Sequence, residues 1–177
     1  MPRRRAMLIL AGSLAGCAPR PPAPVPVSAG QSASAATDSA ATDSAVLTLE
    51  RTPCFGACPV YRVTVSADGT VHFQGKSFVS HLGSALAHIP KARMDSLIAE
   101  LDAGGYFRFD ERYVPGSPAC GNAATDLPTV TTSVTLGGRT KRIEHYRGCS
   151  AAPLSLSRLE DRIDEVLNTR RWVGQGR

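Results

Sequence analysis

The sequence lacks the short motifs that mark the common catalytic chemistries. It contains no glycine-rich phosphate-binding loop and no Gly-x-Ser-x-Gly nucleophile elbow. Its four histidines are scattered, and no two of them have the spacing of metal ligands: His72, His81, His88 and His145. We therefore predict no catalytic residue, no cofactor and no metal ligand, and the sequence is more typical of a non-enzyme than of an enzyme.

The chain also lacks a strong charge of either sign. The formal net charge of the 177 residues is +5 at pH 7, but residues 1–16 hold three arginines and no acidic residue. Without those residues the net charge is only +2, which is far from the basic character of nucleic-acid-binding domains. No nucleic-acid partner is expected.

No apolar run near the amino terminus is long enough to span a bilayer, but this region is typical of an export signal. Three arginines at 3–5 precede a short apolar stretch at 6–14, and Leu-Ala-Gly-Cys follows at 14–17. This order resembles the lipobox of bacterial lipoproteins, which implies cleavage before Cys17 and its modification by fatty acyl chains such as palmitate. Ala18 in place of Asp resembles the pattern directed to the outer membrane, on its periplasmic face. A plain secretory signal with a chance cysteine is the alternative.

The next segment is low in complexity. It has five prolines within residues 18–27, and the pentapeptide Ala-Thr-Asp-Ser-Ala at 36–40 is repeated at 41–45. Such a segment cannot bury enough apolar surface to fold alone. The predicted organisation is a signal peptide at 1–16, the lipidated Cys17 with a disordered tether at 17–45, one domain at 46–173 and a flexible tail at 174–177.

The periodicity of the domain predicts an α+β fold. Residues 46–50 are strand-like, and alternating apolar positions predict a hairpin of strands at 61–66 and 70–74 around Ala-Asp-Gly. Further short extended pieces are expected at 78–79 and before Pro90. A helix opened by Pro90 follows and ends at Gly-Gly; its inner face is formed by Met94, Leu97, Ile98 and Leu101.

The same order is repeated in the second half. After a long loop at 110–128, strands at 130–136 and 139–147 flank Gly-Gly, and a helix opened by Pro153 follows. The inner face of that helix is expected to be formed by Leu156, Leu159, Ile163, Val166 and Leu167. Two halves, each a hairpin followed by a helix, predict an antiparallel sheet with two helices packed on one face.

Four cysteines remain besides Cys17, an even number that indicates two disulfides in an oxidising compartment. A two-residue Gly-Gly turn would place Val130 opposite His145 and Cys149 opposite Asp126, six residues from Cys120. Of the three possible pairings we therefore favour Cys54–Cys58 with Cys120–Cys149. A reactive or metal-binding thiol pair at Cys54 and Cys58 is the alternative.

Two other groups of polar residues are weak candidates for a site. The loop acids Asp110, Glu111 and Asp126 could supply a hydrolytic carboxylate pair, although nothing in the sequence selects two of them. A basic cluster could meet an anionic ligand such as polysaccharide or phospholipid head groups, but such clusters are more often solvated sheet edges: Arg139, Lys141, Arg142 and Arg147.

Several segments together carry a resemblance to a known family. They are Cys-Phe-Gly-Ala-Cys-Pro-Val-Tyr at 54–61, Asp-Gly-Thr-Val at 68–71, Gly-Lys-Ser-Phe-Val at 75–79, Gly-Tyr-Phe at 105–107, Thr-Asp-Leu-Pro-Thr at 125–129 and Leu-Glu-Asp-Arg-Ile-Asp at 159–164. Over about residues 47–168 the chain resembles a bacterial family known as domain of unknown function 6438, whose most distinctive part is Cys-Phe-Gly-x-Cys-Pro-x-Tyr. The resemblance implies an envelope protein, often with a signal peptide or a lipoprotein anchor, and implies no known reaction, cofactor or ligand. Cys120 and Cys149 lie outside the core pattern of that family.

These observations together predict a monomeric lipoprotein of the outer membrane with a non-catalytic binding or scaffolding domain. Its expected partners are the lipid of its anchor and an envelope protein or polysaccharide. A thiol redox or metal-handling protein that acts through Cys54 and Cys58 is the first alternative, and a hydrolase is the second.

Overall fold

The computed structural model of the protein describes residues 45–174. The predicted signal peptide, Cys17, nearly all of the tether and residues 175–177 lie outside the described residues. Across residues 45–174, no helix combines the length and the apolar character needed to cross a membrane.

The domain is built on one sheet of seven strands in the order β4-β3-β2-β1-β6-β7-β5. Their bounds are Ala45–Arg51 for β1, Val60–Ser66 for β2, Thr70–Ser77 for β3, Gly83–His88 for β4, Arg112–Tyr113 for β5, Thr129–Leu136 for β6 and Arg139–Tyr146 for β7. All neighbouring strands are antiparallel except β5, which runs parallel to β7. The α+β class and the shared sheet of the two halves are therefore confirmed.

The first strand joins the two halves of the domain. β1 pairs with β2 through Arg51 and Tyr61 and with β6 through Arg51 and Val130, so it lies at the centre of the sheet. In the second half, Gly137 and Gly138 have φ angles of 58° and 77°, as a two-residue hairpin turn requires. Val130 consequently lies opposite His145, as predicted from the turn.

Two helices cover one face of the sheet. α1 spans Lys91–Ala103 and α2 spans Leu154–Leu167; a 3-10 turn at Tyr106–Arg108 and the short α3 at Arg170–Val173 complete the fold. The alternating apolar residues of the central strands form a single core with the inner faces of both helices. Each long helix begins one residue after the proline predicted to open it, because Pro90 and Pro153 have extended ψ angles of 137° and 131°.

Three sequence-based expectations differ from the structure. The stretch 110–128 is not wholly a loop, because it contains the two-residue strand β5 on the outer side of β7. Residues 78–79 are not extended, because Phe78 has a φ of 52° and turns the chain towards β4. Cys149 lies opposite Ala123 rather than Asp126, because the ladder of β6 and β7 ends at the pair of Thr129 and Tyr146 and the chain then turns.

Candidate functional site

Four connecting segments meet at one end of the sheet, which we call the loop end. They are residues 52–59 between β1 and β2, 78–82 between β3 and β4, 114–128 before β6, and 147–153 after β7. The antiparallel registers require this arrangement, since β1 and β7 finish where β2 and β6 begin. The cysteine motif that carried the family resemblance therefore lies at the centre of the loop end.

A small disulfide ring shapes the central segment. The sulfur atoms of Cys54 and Cys58 are 1.91 Å apart, and Gly56 within the ring has a φ of 140°, which side chains disfavour. The N–H of Phe55 donates a hydrogen bond of 3.2 Å to the carbonyl oxygen of Asp126, which ties the ring to the segment before β6. The side chain of Phe55 is left 87% exposed. The ring thus presents an aromatic side chain to solvent from a backbone fixed at several points.

Further apolar side chains are exposed in other segments of the loop end. Phe78 and Leu82 lie in the segment between β3 and β4, and Leu127 lies next to the Asp126 that binds the ring. We call Phe55, Phe78, Leu82 and Leu127 the apolar rim. The segments 52–59 and 77–83 contain no Asp, Glu, Lys or Arg. Phe55, Phe78 and Leu82 are therefore flanked by uncharged chain, whereas Leu127 follows Asp126; the dehydration of an uncharged surface is less costly than that of a charged one.

The loops that carry the apolar rim are held by backbone and side-chain hydrogen bonds. The N–H of Leu127 donates to the Tyr146 hydroxyl over 3.2 Å, and this hydroxyl donates to the carbonyl oxygen of Ala124 over 2.7 Å. On the other side, the N–H of His81 donates to the carbonyl oxygen of Trp172 over 2.9 Å. These bonds hold the backbone from which the exposed side chains project.

A network of polar side chains connects the two strands that flank the disulfide ring to α2. The carboxylate of Asp164 on α2 accepts hydrogen bonds from Arg51 Nη2 at 2.7 Å, Arg51 Nε at 2.9 Å, the Tyr61 hydroxyl at 2.7 Å and the Thr169 hydroxyl at 2.8 Å. Arg51 Nε also donates to the oxygen of Tyr61 over 3.0 Å. Tyr61 is the last residue of the cysteine motif, so this network connects the motif to β1 and α2.

The network changes the proton affinity of two of its members. Burial, and then the neighbouring Asp164 carboxylate, raise the pKa of Tyr61 well above its usual range. Burial alone would lower the pKa of Arg51, but the carboxylate of Asp164 and the oxygen of Tyr61 raise it overall. Asp164 already accepts four hydrogen bonds within a network of paired groups, which makes it a structural anchor rather than a free base.

A second polar group is buried between β7 and α2. Glu160 is 1% exposed and His145 is 2% exposed. His145 Nδ1 lies 2.8 Å from Glu160 Oε1, and Arg147 Nη1 donates to Glu160 Oε2 over 2.8 Å. The ring of Tyr113 on β5 meets the imidazole edge-on, with 5.9 Å between centroids. Each of these side chains is partnered by the others, which is the condition for stable burial of charge.

The burial of Glu160 was not predicted, because only apolar residues were assigned to the inner face of α2. Glu160 lies four residues after Leu156 and three before Ile163, so helical periodicity places it on that face. The predicted Leu159 is only partly buried at the flank of the core. A basic residue at the end of the facing strand, such as Arg147 directly after β7, was the signal that could have identified a buried acid.

The structure separates the groups that the sequence analysis considered together. Asp110 and Glu111 line an open cavity of about 590 Å³ beside β5, whereas Asp126, at the loop end, is not among the residues that line it. The basic cluster is divided between the two faces of β7, since Lys141 and Arg147 alternate with Arg142. Its interpretation as a sheet edge holds for the first part of β7, because β5 pairs only with Glu144 and His145 and leaves residues 139–143 without an outer strand among the described residues.

The two disulfides are those predicted from the sequence. Cys120 and Cys149 are bonded with 1.97 Å between their sulfur atoms, and the Cys54–Cys58 sulfurs are likewise bonded. Among residues 45–174, no three His, Cys, Asp or Glu side chains are grouped closely enough to hold a metal ion. The loop end combines exposed apolar side chains with a disulfide and a polar network.

The family model described as "Domain of unknown function (DUF6438)" matches residues 45–167. No curated protein matches the chain.

Proposed function

Since the chain belongs to the DUF6438 family, whose description names no activity, we propose its function from the loop end: a lipid-anchored envelope protein that binds another protein through the apolar rim. The domain acts by binding or scaffolding and performs no chemical step. Acylated Cys17 anchors it at the periplasmic face of the outer membrane, and the tether at 17–45 connects the anchor to the domain.

The exposure of the apolar rim is the observation that carries this proposal. Four of the six large hydrophobic side chains that are exposed in residues 45–174 lie in the segments of the loop end: Phe55, Phe78, Leu82 and Leu127. Single exposed apolar residues need no explanation, but their concentration at one end of a sheet is typical of an interaction surface. Aromatic residues with few neighbouring charges are also the composition of protein interface cores.

The course of β1 indicates from which side of the domain a partner would approach. The tether joins the domain at the start of β1, and the strand ends at Arg51, directly before the cysteine ring. Seven residues of strand rise by roughly 20 Å. The apolar rim is therefore at the far end of the domain from the point where the tether joins it, which favours a partner that approaches from the side opposite the anchor.

The chemistry of the rim favours a protein over a polysaccharide. Recognition of a sugar needs side chains that donate and accept hydrogen bonds, whereas the four rim side chains are apolar. A protein surface with its own exposed apolar residues buries the rim without leaving polar groups unpaired. We therefore assign the partner as an envelope protein with an apolar patch.

Site-specific photocrosslinking in intact cells tests this proposal. A photoreactive amino acid at Phe55 should capture one protein, whereas the same amino acid at Arg93, an exposed position on α1, should not. Phe55→Ser combined with Leu127→Ser should abolish co-purification of the captured protein, because both side chains are exposed and their loss leaves the core intact. Capture from Arg93 at the same level, or retention of the partner by the double variant, would contradict the assignment of the rim.

The anchor is tested separately. Cells supplied with an alkyne analogue of palmitate should label the wild-type protein, and Cys17→Ala should abolish the label and release the domain from the membrane fraction. Cys17→Ser is a second variant that also removes the thiol while it keeps the size of the side chain close to that of cysteine. A labelled Cys17→Ala protein would show that the lipid is attached elsewhere and would leave the binding surface to be judged on its own experiment.

A further inference from the structure

The two edges of the sheet differ in how they are protected. On one side β5 is only two residues long, and both its first residue, Arg112, and the preceding Glu111 are charged. On the other side β4 has six residues, pairs with β3, and has no further strand beside it among the described residues. Natural sheets protect such edges with short strands, proline, lysine or other charged side chains. β4 has none of these residues, since its sequence is Gly-Ser-Ala-Leu-Ala-His.

The register shows which backbone groups of β4 face outwards. The N–H of Ile89 donates to the carbonyl oxygen of Gly69, so Ile89 and, by alternation, Ala87 and Ala85 direct their backbone groups towards β3. The N–H and carbonyl groups of Ser84, Leu86 and His88 therefore point away from the sheet. His81 Nε2 lies 3.1 Å from the carbonyl oxygen of Ser84 and covers that single group.

The side chains of β4 add apolar surface to this edge. Leu86 is 68% exposed and lies on the face of the sheet that the helices leave uncovered. Ala85 and Ala87 point to the opposite face, where they pack at the border of the core. The edge thus combines outward backbone groups with small and apolar side chains on both faces, which is the surface that an added strand requires.

We propose that β4 is a dimerisation edge that pairs antiparallel with β4 of a second copy of this chain. In the register centred on Leu86, the Leu86 residues of the two copies lie opposite each other, and Ser84 lies opposite His88 of the second copy. Every outward N–H and carbonyl group of β4 then forms a hydrogen bond with the second copy. For the carbonyl of Ser84, this requires that His81 first moves away from it. The two sheets become one continuous sheet across a two-fold axis.

Self-complementarity identifies a second copy rather than an unrelated peptide as the occupant. The centred register pairs Leu86 with itself on one face and Ala85 with Ala87 on the other, so apolar residues meet on both faces. No pair of like charges is created along the strand. This proposal does not depend on the lipid anchor or on the apolar rim, and it differs from the sequence-based expectation of a monomer, which stays a prediction.

Cysteine crosslinking of the full-length chain tests the register. Opposed residues of a hydrogen-bonded antiparallel pair have Cα atoms about 5.5 Å apart, which suits a disulfide. Leu86→Cys should therefore form a dimer with a disulfide between its two copies on non-reducing gels. Ser84→Cys is the matched control, because two Ser84 positions are offset by four residues, or about 13 Å along the strands. Co-expression of Ser84→Cys with His88→Cys should restore the crosslink.

A second measurement avoids new cysteines. The wild-type chain should sediment as a dimer in a concentration-dependent manner, and Leu86→Lys should weaken its dissociation constant about tenfold, because two lysines then face each other. Leu86→Thr, which keeps a neutral side chain with high strand propensity, should retain the dimer. A wild-type chain that remains monomeric, Ser84→Cys crosslinking as strongly as Leu86→Cys, or an unchanged dissociation constant for Leu86→Lys would each overturn the proposal.

Discussion

Replacement of Asp164 by alanine tests the view that this carboxylate anchors the cysteine motif to α2. The substitution removes the acceptor of two hydrogen bonds from Arg51, one from Tyr61 and one from Thr169. It leaves the guanidinium of Arg51, whose side chain is only 17% exposed, without its closest anion. We expect this uncompensated charge to be the main cause of the loss of stability.

The size of the loss follows from the surroundings of Arg51. Removal of one partner from a buried ion pair costs about 3–5 kcal/mol. Asp161 remains 3.2 Å from Arg51 Nη2 and water reaches both side chains, so the lower end of that range applies. The expected decrease in the free energy of unfolding is about 3 kcal/mol, which corresponds to roughly 10 °C in Tm for a domain of this size.

Urea unfolding followed by circular dichroism measures this difference. Asp161→Ala is the matched control, because Asp161 lies on the same helix, also contacts Arg51, and is 60% exposed; its loss should cost less than about 0.5 kcal/mol. Asp164→Asn should fall between the two, since it keeps the side-chain volume and loses the charge. Equal effects of Asp164→Ala and Asp161→Ala would refute the assignment of Asp164 as the anchor.

Two further predictions concern the disulfides and the buried tyrosines. Replacement of Cys120 and Cys149 by alanine should cost about 3.6 kcal/mol of stability, against about 2 kcal/mol for the bridge of the small ring, because the sequence separations are 29 and 4; urea unfolding of the two double variants measures the difference, and equal losses would contradict it. Burial is the main cause of the raised pKa of both Tyr61 and Tyr106 in the folded protein. The stability that the two tyrosines contribute should therefore be complete below about pH 10, where unfolded tyrosine titrates. Above that pH the free energy of unfolding should fall by about 1.4 kcal/mol per pH unit for each residue. Tyr61→Phe should reduce the slope of stability against pH by the contribution of one tyrosine. An unchanged slope between pH 10 and 11.5 would show that the pKa of Tyr61 is the same in the folded and the unfolded protein.

Local sequence patterns were sufficient for most elements of the fold. The two hairpins, the two long helices and the Gly-Gly turn all depend on residues within about a dozen positions of one another. Periodicity and turn chemistry act over that range, so they could be predicted. The pairing of Cys120 with Cys149 also followed, because the turn fixed which part of the long segment faces the end of β7.

Longer-range features could not be obtained in this way. The two-residue β5 has too few residues for a periodic signal, and it exists because β7 offers an edge to it. Glu160 is charged and was not among the residues predicted for the inner face of α2, yet His145 and Arg147 make its burial stable.

The sequence by itself determined the α+β class, the bridges between cysteines and the family to which the chain belongs, because each of these is encoded in local patterns or in short motifs. Only the tertiary structure decided that β1 is central, that Phe55, Phe78, Leu82 and Leu127 meet at one end, and that β4 is left as an open edge. The physical reason is that strand order and surface neighbourhood are set by which distant segments bury each other's apolar faces. Such information is shared between segments and belongs to none of them alone.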